Sequence, residues 1–281
     1  MNSRVVVEVT RGRPTSDGGG VRLTRLITPQ QGLDPFLMLD EFDSSEASDY
    51  LAGFPAHPHR GFETVTYMLD GHMLHEDHLG NRGDLKPGAV QWMTAGRGII
   101  HSEMPQQVAG RMRGFQLWIN LPGSEKMKPA DYRDIDPEDI PEQVFSDASI
   151  KVIAGQCQVV GSDALIAGAH GGGATEPLYL DVALSAHASL TLATPKSHRV
   201  LAYTFEGAVS IGERVLHQNE LAQLSEGNAV CLTAGPIPAR VLIIGGKPLR
   251  EPVVHYGPFV MNTAAEIEQA VRDFRSGHLT A

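Results

Sequence analysis

Apolar and polar positions alternate with a period of two over most of the chain before residue 255. The alternation runs through VVVEV (5–9), VRLTRLI (21–27), ETVTYML (63–69), AVQWMT (89–94) and FQLWINL (115–121), and returns in LYLDVAL, VLAYTF and RVLIIGG. Successive strand side chains point to opposite faces, so each run predicts a strand with one face turned to a core. Turns rich in Gly, Pro and Asx punctuate the runs, among them DGGG at 17–20, KPG at 86–88 and HGGG at 170–173. Many short strands joined by tight turns predict an all-β chain built as a sandwich or barrel. One segment departs from the period. Thr263 and Glu266 have capping-box spacing, Ile267, Ala270, Val271 and Phe274 form an apolar helical stripe, and Ser276 with Gly277 supplies a stop. A short C-terminal helix packed on a barrel is expected there.

The stretch 122–143, PGSEKMKPADYRDIDPEDIPEQ, is rich in Pro and charge and carries no strand period, so it reads as a connector between two halves. On this reading residues 1–134 form an N-terminal domain and residues 135–281 a C-terminal one that ends in the helix. HRGFETVTYMLDGHM in the first half and SHRVLAYTFEGAVSIG (197–212) in the second both run from a strand into a glycine turn. That similarity predicts a tandem repeat of one barrel, the second copy lacking the first copy's histidine pair.

Composition narrows the function classes. With 281 residues and 42% hydrophobic content the chain can bury real cores. Its formal net charge of −10 repels phosphate backbones, which argues against direct nucleic-acid binding. Apolar runs such as VLIIGG are too short to span a bilayer, and MNSRVVVEVTRGRP has no apolar signal-peptide core, so a cytoplasmic protein is expected. Cys157 and Cys231 are the only cysteines, too few for a disulfide scaffold, and are assigned to packing.

The candidate chemistry lies in HPHRGFETVTYMLDG (57–71) and in IIHSEM (99–104). Alternate strand residues share a face, so His57 and His59 project together, and so do His101 and Glu103. The AGRG turn (95–98) would fold QWMT back on IIHSEM as a hairpin. Two strands offering three imidazoles and one carboxylate inside a barrel make a metal site by ligand type and direction. Such a set leaves open positions for water, dioxygen or a substrate oxygen. Were the strand from 57 unbroken, Glu63 would share the face of His57 and His59. It then reads as a fifth ligand, a pair for Arg60 or, the preferred reading, a partner for a ligand imidazole N–H. His72, His75 and His78 are spaced three apart and are expected to face solvent, and the isolated histidines 170, 187, 198, 217, 255 and 278 read as structural. HGGG is not an esterase oxyanion segment, because no G-x-S-x-G occurs, and GRG at 96–98 precedes no helix and is no phosphate loop.

FPAHPHRGFETVTYMLDG, followed by HEDHLGNRGDLKPGAVQWMTAGRGIIHSEMP, closely resembles the pirin family of the cupin superfamily. The resemblance is strong over residues 36–122 and weaker beyond, where LYLDVAL and YTFEGAVSIG are similar to that family's second, metal-free domain. It implies two tandem cupin, jelly-roll-like β-barrels and a metal held by His57, His59, His101 and Glu103. Fe(II) is the implied ion, while Zn, Ni, Mn and Cu suit the same donors. More general cupins use a glutamate placed like Glu63, so the resemblance leaves the choice between the two glutamates open. Bacterial members are similar to quercetin 2,3-dioxygenases, which open a flavonol ring with O₂ and release carbon monoxide. That implies a flavonol-like aromatic substrate, with Glu103 as the proton acceptor and Glu63 as runner-up; Phe54, Trp92, Met93, Ile99 and Met104 lie beside the histidines in sequence and are candidates for the pocket wall, with core packing the preferred role for each taken singly. Other members work through protein partners, which implies the alternative of a non-catalytic, redox-sensing iron protein. A non-redox Zn or Ni enzyme is a third reading. Because a two-barrel chain already mimics a cupin dimer, a monomer is expected.

Overall fold

The computed structural model describes all 281 residues. Every run singled out by its alternation forms a strand. In chain order the first are β1 (Val6–Arg11), β2 (Arg13–Asp17), β3 (Val21–Ile27), β4 (Phe36–Ser44), β5 (Phe54–His59), β6 (Phe62–Asp70), β7 (Met73–Asp77), β8 (Arg82–Leu85), β9 (Val90–Thr94), β10 (Ile99–Pro105), β11 (Met112–Asn120) and β12 (Asp131–Ile135). One compact unit comprises residues 13–137 and 249–281, the other residues 1–12 and 138–248.

In the first of these, called the site unit below, a seven-stranded antiparallel sheet has the order β12, β9, β6, β11, β4, β3, β2, and a four-stranded sheet the order β5, β10, β7, β8. The other unit repeats the plan. Its seven-stranded sheet starts with β1 and continues through Glu220–Leu224, Arg199–Glu206, Ala239–Gly246, Leu178–Leu184, Ala148–Ala154 and Glu142–Val144. Its four-stranded sheet has the order Ser189–Ala193, Ala229–Ala234, Ala208–Ile211, Arg214–His217. The strand Arg199–Glu206 therefore holds the third place that β6 holds in the site unit, and the chain is a pair of β-barrels of one design.

Three expectations need correction. The units do not divide at residue 134: β1 serves the unit of residues 138–248, while the C-terminal segment returns to the site unit. Alternation marks a strand but not its partner, and β1 pairs with Glu220–Leu224 more than 200 positions on, in the edge place that β12 takes beside β9. The stretch 122–143 is also more than a connector, since it contains β12, whose polar residues suit an edge strand. Finally, β9 and β10 form no hairpin; β9 pairs with β6 and β12, β10 with β5 and β7, and the AGRG turn carries the chain from one sheet to the other.

The helix α1 (Ala264–Arg275) forms as its sequence pattern predicts, with Thr263 and Glu266 closing the capping box. Its buried Ile267 and Ala270 pack against Phe259, Met261 and Leu279. It thus belongs to the site unit rather than to a C-terminal domain. No helix is long and apolar enough to cross a membrane.

Candidate metal centre

β5 is the edge strand of its sheet, where prolines that donate no ladder hydrogen bond are tolerated; this is why FPAHPH can be a strand at all. Its single neighbour is β10, and the register sets His57 directly opposite His101, with His59 opposite Ile99. The two histidine-bearing strands are therefore adjacent, although the turn between β9 and β10 does not pair them in the expected way. The chain leaves β5 through Gly61 at φ 92°, a conformation costly for any residue with a Cβ, and a Cβ there would run into the Val260 carbonyl. Lys126 fixes this bend: its buried ammonium donates to the carbonyls of Gly61 (2.7 Å) and Val260 (3.0 Å) and to Asn120 Oδ1 (2.6 Å). Burial lowers its pKa to about 8.

His57, His59 and His101 converge so that one nitrogen from each lies within 4.8 Å of the others. His57 Nδ1 donates to the Pro55 carbonyl at 2.8 Å, which leaves the Nε2 lone pair free. His59 Nδ1 and His101 Nε2 are buried without a hydrogen-bond partner. Buried polar atoms are normally satisfied, so orphaned nitrogens on two of three converging imidazoles call for a cation. Burial, and then the neighbouring histidines, push the pKa of His59 and of His101 well below the ordinary value, keeping both rings in the neutral form a metal requires. The donor set fits a metal ion.

Glu103 is not one of this close trio. It is buried beside it, and its Oε1 accepts the Thr66 hydroxyl at 3.1 Å. Glu63 is placed elsewhere. The break at Gly61 puts β5 and β6 in different sheets, so the parity that would align Glu63 with His57 and His59 is lost. Thr66 faces the site, and Glu63, an odd number of positions away, faces the other side of the sheet. There it accepts from Thr94 Oγ1 (2.7 Å) and Trp92 Nε1 (3.3 Å), with Lys128 at 4.0 Å. Burial raises its pKa against these partners. The pairing of Arg60 with Glu63 also fails, since Arg60 binds Asp273.

The site opens on a cavity of about 690 Å³. Phe54 lines it as expected, but Trp92, Met93, Ile99 and Met104 do not; Met93 and Ile99 pack in a separate cluster with Ala95. The apolar wall comes instead from the inner face of the long sheet, including Leu23, Met38, Phe42 and Trp118. Across that face runs a row of directly paired polar residues, one per strand: Asp134, Gln91, Thr66, Gln116, Asp40 and Arg25. Thr66 Oγ1 lies 2.5 Å from Gln116 Oε1, and Arg25 holds Asp40 through two hydrogen bonds of 2.9 and 2.7 Å.

His75 is the residue the spacing argument misplaced. It is fully buried rather than solvent-facing, and its Nε2 lies 2.7 Å from His101 Nδ1. Its spacing from His72 showed only that the two face opposite ways; the HED triplet pairing with HSE through His75 opposite Glu103 was invisible without the sheet register.

Comparison with known proteins supplies the kinship. The family model described as Pirin matches residues 20–119, and that described as Pirin C-terminal cupin domain matches residues 179–280. The chain is 56% identical to a Pseudomonas aeruginosa protein named "Putative quercetin 2,3-dioxygenase", over 98% of each chain. It is 41% identical to human pirin over 98% of its own length and 93% of the relative's. A solved quercetin 2,3-dioxygenase structure from Acinetobacter baumannii superposes with a TM-score of 0.89 at 34% identity, covering 99% of both chains. With two barrels of cupin type, one of which carries a three-histidine centre, the chain belongs to the pirin family.

Proposed function

We propose that the chain is an iron-dependent dioxygenase of the pirin type that acts on flavonol-like aromatics with O₂. The observation that carries this reading is the cavity of about 690 Å³ at the histidine trio, within the range of small-molecule sites, about 300–1,000 Å³. A metal-gated partner protein would need no such space. The relatives named as quercetin dioxygenases point the same way.

His57, His59 and His101 would hold the ion, and Glu103, buried beside that trio, would be the fourth ligand. Iron in that set supplies Lewis acidity toward a bound hydroxyl and redox chemistry toward O₂. The chain's own groups do the rest. Glu103 offers a carboxylate oxygen to the enolic proton of the substrate. The single Thr66 proton can turn from Glu103 Oε1 to Gln116 Oε1, so Thr66 stays satisfied when Glu103 becomes protonated. Phe54, Phe42, Met38 and Trp118 surround a flat ring system and keep water from it.

The test is O₂ uptake by anaerobically reconstituted Fe(II) protein mixed with quercetin, with Glu103→Ala as the blank. Uptake matched by loss of flavonol absorbance, absent in the blank and in His59→Ala, is the expected result. A protein shown to hold one iron that consumes no O₂ with quercetin refutes it.

A further inference from the structure

The His75–His101 contact has a definite directional requirement. An imidazole that ligates through Nε2 carries its proton on Nδ1, and that proton needs an acceptor. His101 Nε2 is the nitrogen left unpartnered, while His101 Nδ1 faces His75 Nε2 at 2.7 Å. Were the bond reversed, with His75 donating, neutral His101 would carry its proton on Nε2 and could not ligate. A loaded centre therefore fixes both rings: His101 donates from Nδ1, His75 accepts at Nε2, and the His75 proton sits on its own Nδ1.

The fold holds His75 for this task. It lies on β7 opposite Glu103 of β10, so its side chain shares the face of Glu103 and of His101 two residues earlier. The His101 ring meets it edge to face with centroids 4.8 Å apart, and Tyr132 of β12 meets it edge to face at 5.8 Å. The residue is 0% exposed. Its hydrogen bond runs to His101 through Nε2, and its Nδ1 has no partner.

We propose, building on the metal-centre reading, that His75 is a positioning residue that locks His101 into the tautomer and ring orientation a metal ion needs. The acceptor is a neutral imidazole rather than the carboxylate or carbonyl commonly found behind a ligand histidine. It orients His101 without adding negative charge to the centre.

Titration of the apoprotein with Co(II) against a competing chelator tests this, with the ligand-field spectrum as a second readout. His75→Phe keeps a flat buried ring and removes the acceptor; His75→Gln places an amide oxygen near the lost Nε2. Affinity is expected to fall by about 10–100-fold in His75→Phe, with a changed spectrum, and to be largely restored in His75→Gln. Thermal unfolding confirms that both variants are folded. Wild-type affinity and spectrum in His75→Phe overturn the inference, and so does equal weakening in both variants, which would reduce His75 to a packing role. His57→Ala separates the two readings. If it binds Co(II) as wild type does, the metal centre itself is refuted and this inference with it. If it loses binding while His75→Phe keeps it, only this inference falls.

Discussion

Arg60 follows His59 directly, and its replacement by methionine would test what anchors the histidine strand. The guanidinium is 3% exposed and donates to the Arg97 carbonyl, to Asp273 Oδ2 (2.7 Å) and to the Leu279 carbonyl (3.0 Å). It thereby ties the end of β5 to the turn before β10, to the last turn of α1 and to the residues that follow it. Each bond to a neutral carbonyl contributes about 1 kcal/mol net and the bond to a carboxylate about 1.5–3 kcal/mol. The lower figure suits Asp273, whose side chain is 22% exposed and can be rehydrated. Methionine retains the apolar stem, so the expected loss is about 3.5 kcal/mol. In a domain of roughly 150–250 residues each kcal/mol moves the transition by about 2–4 °C, which predicts a fall of roughly 7–14 °C in the unfolding of the site unit. Calorimetry with Co(II) titration checks it, and the metal affinity should fall as well, because the strand loses its anchor. A shift below about 2 °C would refute the reasoning, since it would mean that water replaces all three bonds at no cost.

The same contact predicts a pH dependence. Hydrogen bonding to Arg60 holds the Asp273 carboxyl below its usual 3.8, so its stabilisation is complete above that value and disappears as pH falls through the folded-state pKa. Asp273→Asn should therefore be less stable than wild type at pH 7, the gap narrowing below about pH 4 in urea titrations; a pH-independent gap would contradict this. Glu63→Gln should cost about 1–2 kcal/mol through its bonds to Thr94 and Trp92 while leaving Co(II) affinity unchanged. A tenfold fall in affinity, as about 1.4 kcal/mol would give, would instead place Glu63 in the site. Leu192→Ala, in the interior of the other barrel, should cost about 2–5 kcal/mol without altering metal binding, as calorimetry and the same titration would show.

The period-two pattern made the strands legible, and the capping box made α1 legible, because both signals are local. HxH and HxE were legible for the same reason: strand geometry puts residues two apart on one face whatever the partner. What failed was non-local. Glu63 was aligned with His57 by counting through Gly61, where the backbone turns into another sheet. Spacing alone points His75 to solvent, although burial depends on the strand packed beside it. Sequence proximity to the histidines finds only part of the cavity wall, because Leu23, Met38, Phe42 and Trp118 reach it from β3, β4 and β11 across the barrel. The boundary at 134 failed because β1 and the C-terminal segment each pair far from their place in the chain.

Two barrels with one strand order permit a comparison position by position. Where the site unit places Asp134, Gln91, Thr66, Gln116, Asp40 and Arg25 across six adjacent strands, the other places Val9, Ala222, Ala202, Ile243, Leu180 and Val152. The strands in the places of β5 and β10 carry Leu190, Leu192, Val230 and Leu232, side chains without a lone pair to offer a metal. Those residues pack in or against one apolar core, whereas the equivalent space in the site unit is a cavity. Buried polar groups and unfilled volume each lower stability, so the two interiors cannot be alternative solutions to the same folding problem. The apolar interior is what this strand order adopts when only packing matters. The polar row, the orphaned imidazoles and the empty volume all depart from that interior in one barrel and at one place, and the proposed metal with a substrate beside it would account for all three.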